Sequence, residues 1–468
     1  MNVQSNHFIP LSTQALRNAD LQTAVTTGTN NASRKRLAAM FESGQAHGEA
    51  MRQQAAAAKR RALQRLPELL EQAETNLQAN GVEVLWAVDA AEARQLVLKI
   101  AQKHNIKRVT KSKSMVTEEI GLNEALQANG IETIETDLGE YILQLNHEPP
   151  SHIVTPVIHK TKDSIRKIFE TKLDMPPTND AQEMARYARV KLRQAFLSSD
   201  MGISGGNFII AETGSICLVS NEGNARMVTS LPKVHLAVVG TEKIVASLED
   251  YAALTQVLAR SATGQKLTVY THLIHGPRRS HEPDGPEHVY LILLDNGRSD
   301  IYATDYAEAL ACIRCGACLN ACPVYQTAGG HSYGWVYPGP IGAIVTPLLV
   351  GPDKAAPLPF ASSLCGSCKQ VCPVDIDIPR MLLDLRRDLV QMSRREWLWQ
   401  AGLKLWRYGM ISPRRYTLAA RAAALATHLL KPKNLPGPLS GWTKHRAFPH
   451  FGKKTFRQLW QERTDNHE

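Results

Sequence analysis

No apolar run in the 468 residues approaches the ~20 that a membrane-spanning helix needs. The opening residues, MNVQSNHFIPLSTQ, lack the charged head and apolar core of a secretory leader, so a cytoplasmic protein is expected. Cysteine is nearly absent from most of the chain: of eight, only Cys217 lies outside the stretch from Cys312 to Cys372. That clustering excludes a disulfide scaffold and points to metal binding in a reducing compartment. Acidic residues run short at the C-terminal end, where 391–468 carry fifteen Lys/Arg against four Asp/Glu, a balance of +11. The whole chain is +10, so the first 390 residues are close to neutral. No nucleic-acid module accompanies the basic end, and nucleic acid is not an expected partner.

What is present divides the chain into about three domains' worth of residues and a tail. Residues 1–79 are rich in Ala, Leu, Gln, Glu and Arg and read as helical, closed by Gly81. Strand-like and helix-like segments then alternate: VEVLWAV, DAAEARQLVLKIAQKHN with Asp89 as its cap, IKRVT, SMVTEEIGLNEALQANG and IETIET. This is the pattern of an α/β layer with a parallel sheet. After NHEPPSHIVTPVIHK the strands resume with NFIIAE, GSICLVS, VHLAVVG, KLTVYTHLI and HVYLILLD, so 80–298 reads as one large α/β domain. Residues 299–386 hold the cysteines, and 387–468 form a basic tail with five of the seven tryptophans.

Cys312, Cys315, Cys318 and Cys322-Pro323 follow C-x2-C-x2-C-x3-C-P, the bacterial ferredoxin run. Three closely spaced thiolates wrap one cubane, and the cysteine before proline serves the other cluster. A zinc ribbon would use two separated C-x2-C pairs instead. The second run has three cysteines. With Cys372-Pro373 in the Cys-Pro slot, Cys368 and Cys365 take the third and second slots, and the first falls on Ser362. The expected ligand sets are therefore crossed. Cys312, Cys315, Cys318 and Cys372 form set one; Cys322, Cys365 and Cys368 form set two, with its fourth position open. Ser362, Ser363 or water fills that position, or the iron there is labile, or the cluster is a three-iron form. Cys217, in a predicted strand, is expected to be a core residue.

Two stretches of the α/β region suggest a ligand pocket. TKSKSMV places Lys111 and Lys113 at the carboxyl edge of the sheet, where open α/β sheets bind ligands. GISGGNFIIAETGSICLVSNEGNARM has a glycine loop (Gly202, Gly205, Gly206) that is neither a Walker loop nor G-x-G-x-x-G. Glu212 and Ser215, with Asn221, Glu222, Asn224 and Arg226, crowd polar groups between apolar strands.

Together KSKSMVTEEIGLN, GNFIIAETGSICLVSNEGNARM, CIRCGACLNACPVY, YGWVYPGPIGAIVTPLL and LCGSCKQVCPVDIDIP resemble the lactate utilization protein B family over nearly the whole chain. That family supplies the iron-sulfur subunit of a bacterial L-lactate oxidation system. The resemblance implies an α/β LUD domain similar to the glucosamine-6-phosphate isomerase and CoA-transferase fold, followed by a mainly helical ferredoxin-like two-cluster domain. It also implies two 4Fe-4S clusters, a cysteine-rich A-type partner and a C-type LUD partner, and oxidation of L-lactate to pyruvate during growth on lactate. The short second run belongs to the family pattern. An electron-transfer adapter for another 2-hydroxy-acid or glycerol-3-phosphate dehydrogenase is the alternative. No flavin or nicotinamide motif accompanies the clusters, so the two-electron step needs a partner or the open iron.

Two further expectations concern shielding and docking. YGWVYPGPIGAIVTPLL should pack beside the clusters, its glycines and prolines forbidding a long helix. In the tail, Trp399, Leu403 and Trp406 share one helical face flanked by Arg394, Arg395, Lys404 and Arg407. That face suits docking to a partner subunit, or contact with an anionic surface such as the inner membrane.

Overall fold

The computed structural model describes residues 3–392, 397–430, 443, 449 and 451–465. It divides into two compact units, Met1–Leu389 and Val390–Glu468.

In the first unit, strands β1 (Glu83–Ala87), β2 (Arg108–Lys111), β3 (Glu132–Glu135), β4 (Met201–Ser204), β7 (Val234–Gly240) and β10 (His288–Leu294) form a six-stranded sheet. Its order is β1-β10-β7-β4-β2-β3 and every neighbouring pair is parallel. The α/β expectation holds, with one addition. Strands β5 (Phe208–Ile210), β6 (Ser215–Ser220), β8 (Ile244–Val245) and β9 (Tyr270–Ile274) make a second, mixed sheet of order β8-β5-β6-β9. Alternation along the sequence could not separate these strands from the parallel ones. Their hydrogen-bond partners are decided by turns and long crossovers, not by side-chain period.

All six parallel strands present their carboxyl ends at one edge. Ser112 and Lys113 follow β2 there, Gly205 follows β4, Glu242 and Lys243 follow β7, and Arg298 follows β10. The segment 114–130 is two short helices, Met115–Glu119 and Leu122–Ala128, parted at Gly121 with φ 62°. The glycines at 202–206 serve close packing and not flexibility. A Cβ on Gly202 would lie 1.8 Å from the Val228 carbonyl oxygen.

Four N-terminal helices precede β1: Phe8–Ala15, Ala19–Met40, Gln45–Gln64 and Leu66–Ala79. They pack against the cysteine region as well as the sheets. Arg36 Nη2 donates to the Val371 carbonyl at 2.8 Å, and Ser5 Oγ donates to the Tyr333 carbonyl at 2.8 Å. Gly339–Val350 is a 12-residue helix that runs through Pro347. The spacing of its glycines and prolines argues against a long helix there. Pro340 sits in the first turn, where a missing N–H costs nothing, and burial of Gly339 to Pro347 outweighs the bond lost at Pro347.

In the second unit, Trp397–Met410 and Pro413–Leu430 are helices. Leu403 is 50% and Trp406 62% exposed. The side chains of Trp399, Arg394 and Arg395 fall outside the described residues. Among the described residues no helix is long and apolar enough to cross a membrane.

Candidate metal centre and adjoining cavity

The two cysteine runs fold into matching turns. Arg314 (φ 59°) and Gly316 (φ 73°) bracket Cys315; Leu364 (φ 54°) and Gly366 (φ 83°) bracket Cys365. The Arg314 N–H donates to Cys312 Sγ at 3.4 Å, and the Leu364 N–H donates to Ser362 Oγ at 3.1 Å. Ser362 thus occupies in the second turn the place of Cys312 in the first, as the spacing alone predicts. The helical turns that follow, Ala317–Asn320 and Ser367–Val371, pack on each other.

Cys312, Cys315, Cys318 and Cys372 line one small cavity with Ile153, Ile341, Val374, Ile376 and Ile378. Four stretches of chain meet there, which is why Cys372 joins cysteines 54 to 60 residues earlier. Burial, followed by the neighbouring thiols, pushes Cys315 up to about 12, and burial pushes Cys372 up to about 11. Four mutually repelling sulfurs in an apolar hollow fit a cationic iron core, which would hold them as thiolates. Positive charge also surrounds this set. Arg52 donates from Nε (3.2 Å) and Nη2 (2.8 Å) to the Cys372 carbonyl. Burial lowers Arg36, Lys59 (to about 7) and Lys243 (to about 8), and the charge of a set-one cysteine opposes that fall in each.

Cys322, Cys365 and Cys368 lie near one another: burial, then the Cys322 and Cys365 sulfurs, raises Cys368 to about 12. Cys365 is exposed, and the Ser367 backbone N–H draws its thiol below the usual range. The Tyr333 hydroxyl is buried and without a hydrogen-bond partner, beside Cys322, Cys318 and Cys368, so it adjoins sulfurs of both sets. Cys217 is fully buried on β6 in the core.

A second, larger cavity of about 530 Å³ lies at the carboxyl edge of the parallel sheet. Lys113, Asn221, Glu222 and Asn224 line it. Lys111, Glu212, Ser215 and Arg226 lie outside its lining. Lys111 is fully buried, its ammonium 2.8 Å from both Glu118 and Glu135. Glu212 accepts from the Leu248 N–H at a helix start (3.0 Å), and Ser215 Oγ meets Thr213 (2.6 Å) and His275 (3.0 Å). These three residues have structural partners, which sequence spacing cannot reveal.

Sequence reasoning missed the floor between this cavity and set one. Arg298 is buried between Glu119 (2.9 Å) and Glu242 (2.5 Å), and the Tyr337 hydroxyl donates to Glu119 at 2.6 Å. Burial would raise Glu242, but Arg298, Lys243 and Arg314 hold it down at about 2. Arg314 lies over the Tyr337 ring, 4.4 Å from its centroid, and lines both cavities. The missed residues come from five separate segments, and only Arg314, inside the first cysteine run, lies in a spacing motif.

A LUD domain joined to a 4Fe-4S dicluster domain is the class these features define. Family models for the two match residues 70–294 and 308–376, and a third, "Lactate utilisation protein B, C-terminal", matches 388–465. The chain belongs to the lactate utilization protein B family. It is 43% identical to lactate utilization protein B of Oceanobacillus iheyensis over 96% of this chain and 95% of that one. With the protein of that name from Bacillus subtilis it shares 42% identity over 99% and 98%. Among solved structures, a DUF162 family protein from Deinococcus radiodurans is 17% identical, covering 49% of this chain and 98% of that one with a TM-score of 0.28.

Proposed function

We propose that this chain is the iron-sulfur electron-transfer subunit of a complex that oxidises L-lactate to pyruvate and supports growth on lactate. In this reading Cys312, Cys315, Cys318 and Cys372 hold one 4Fe-4S cluster. Cys322, Cys365 and Cys368 hold a second, whose fourth position faces Ser362. The observation that carries the reading is the crossed gathering of seven cysteines from two runs, with Ser362 in the slot of the absent eighth. Each cluster would supply one-electron chemistry, so the pair accepts both electrons of lactate oxidation in sequence. The chain's own residues bury set one, supply cations around it and leave Cys365 near solvent, where a partner can receive electrons.

The name of the relatives supports lactate as the substrate. The proposed partners are a cysteine-rich A-type subunit and a C-type LUD subunit. The tail, with its exposed Leu403 and Trp406, is the proposed docking element. We place the complex in the cytoplasm, with the tail's basic charge allowing contact with the inner membrane surface. The α/β part is proposed to share the glucosamine-6-phosphate isomerase and CoA-transferase fold.

The test is anaerobic purification with the partner subunits, followed by addition of L-lactate. Bleaching of iron-sulfur absorbance, with pyruvate formed, is expected. Bleaching by glycolate or glycerol 3-phosphate but not by L-lactate would replace this reading with that of an adapter for another dehydrogenase.

A further inference from the structure

The cavity at the sheet edge has one wall in common with the set-one cysteines. Arg314 stands between Cys312 and Cys315, and its side chain faces both spaces. Its backbone is left-handed, and the guanidinium lies over the Tyr337 ring, 4.4 Å from the centroid. Nη1 is buried with no hydrogen-bond partner, and Nη2 reaches Glu242 only at 3.8 Å. Lys243, 6% exposed, lines the same cavity and makes no hydrogen bond or ion pair among the described residues. Ser112 Oγ is a further buried, unpartnered group on the lining, in a residue 3% exposed. Buried polar groups are nearly always satisfied, so two buried orphans, Arg314 Nη1 and Ser112 Oγ, beside the Lys243 ammonium call for an outside partner.

The charges of the lining decide the sign of that partner. Arg298 pairs with both Glu242 and Glu119, so Glu242 also draws on the charge of Lys243 and Arg314, without a hydrogen bond to either. Lys113 spends its ammonium on the Ile153 carbonyl. Burial, followed by Asp137, pushes the Glu222 carboxyl up toward its neutral form. Asp137 accepts from the Glu140 N–H at 3.2 Å. Against one unpartnered acceptor, Glu242 Oε1, which lies 3.8 Å from Arg314 Nη2, the lining offers three donors without a hydrogen bond among the described residues: Arg314 Nη1, the Lys243 ammonium and Ser112 Oγ. A planar fork beside a point charge is the arrangement that grips a carboxylate. At about 530 Å³ the cavity has room for a three-carbon acid.

We propose that this cavity binds a small organic carboxylate, gripped by Arg314 and Lys243 at the wall shared with the set-one cysteines. The site lies in this chain and needs no residue from a partner subunit. It deepens the reading above, and rests on it for the expectation that the ligand is a 2-hydroxy or 2-oxo acid lying beside an iron-sulfur cluster.

The experiment is equilibrium dialysis and calorimetry on the full chain, reconstituted anaerobically, without partners. The probes are L-lactate, pyruvate, acetate and inorganic phosphate. One L-lactate or pyruvate per chain is expected, bound more tightly than acetate or phosphate. Lys243→Gln should weaken it at least about tenfold, since a charge-assisted bond is lost. Arg314→Lys, which keeps the charge but not the fork, should also weaken it. Glu212→Gln, outside the cavity, should leave it unchanged. The ligand should also shift the electron paramagnetic resonance of one reduced cluster. Iron content is measured for each variant, and if Lys243→Gln loses iron, Arg314→Lys and Lys243→Arg carry the test. Absence of carboxylate binding to the iron-replete chain, binding indifferent to both sites, or phosphate binding alone would overturn the proposal. If the assembled complex still bleaches with L-lactate, the proposed function survives that outcome, and the lactate site lies in another subunit.

Discussion

Cys315 and Cys365 sit in the same backbone turn, each between two left-handed residues, yet one is buried and the other exposed. The difference extends to everything around them. Set one has four sulfurs, an apolar hollow and a ring of cations drawn from the N-terminal helices, the sheet edge and its own loop. Set two has three sulfurs, a serine in the remaining slot and a thiol at the surface. One turn geometry thus builds two environments, and burial with charge, more than the ligand motif, should set their potentials. Positive charge favours the reduced form of a cluster; under the proposed function, set one would therefore hold an electron and set two would exchange one with a partner.

The largest break in this comparison comes from crossing the sets by mutation. Cys372→Ser should remove about four of about eight irons and leave the set-two signal, although Cys372 lies in the second run. Cys322→Ser should do the reverse. Iron and acid-labile sulfide analysis with paramagnetic resonance reads both; loss of each mutant's own-run cluster would mean the sets are not crossed.

Next in size is the floor beneath set one. Arg298→Met leaves Glu119 and Glu242 buried without their shared cation, at a cost of about 3–5 kcal/mol. Urea unfolding should register it, and a change under about 1 kcal/mol would show that water or Arg314 takes over.

A smaller effect separates the two sets by charge. Arg52→Gln removes a guanidinium from the Cys372 carbonyl and should lower the set-one potential while leaving set two unmoved. A redox titration followed by paramagnetic resonance tests this, and equal shifts in both signals would dissolve the distinction.

The smallest effect concerns the chain as a whole and separates neither set. Burial holds His152, beside Gly316, at about 3, and burial with His331 holds His159 at about 4. These values lie below the ordinary 6.5. As pH falls the unfolded chain therefore takes up protons first, and stability present above 6.5 is lost progressively down to about 3. The urea midpoint of the iron-free chain should be lower at pH 5 than at pH 7, and a flat profile would argue against neutral buried histidines.

How much of this was legible beforehand follows from what kind of signal each feature leaves. The cysteine slots repeat at short spacing, so the place of Ser362 could be read from Cys372-Pro373 alone. The parallel strands alternate with helices and announced the α/β layer. Lys113 was found because it follows a strand directly. Lys243, Arg298 and Arg314 were not, since their meeting depends on three distant chain segments converging at one sheet edge. Glu212 and Ser215 misled because a capping carboxylate and a pocket carboxylate look alike in sequence. The N-terminal helices were recognised as helices, but nothing in their composition pointed Arg36 and Arg52 at the cysteine loops.

The most direct test of the central claim is Mössbauer spectroscopy of the full chain reconstituted anaerobically with enriched iron. The account predicts about eight irons in two clusters: one with four equivalently thiolate-bound sites, the other with one iron set apart by an oxygen ligand. Ser362→Cys should convert that iron to the thiolate type, and Ser362→Ala should release it or leave it to water. Two clusters with indistinguishable irons, or a chain that takes up zinc without acid-labile sulfide, would contradict it.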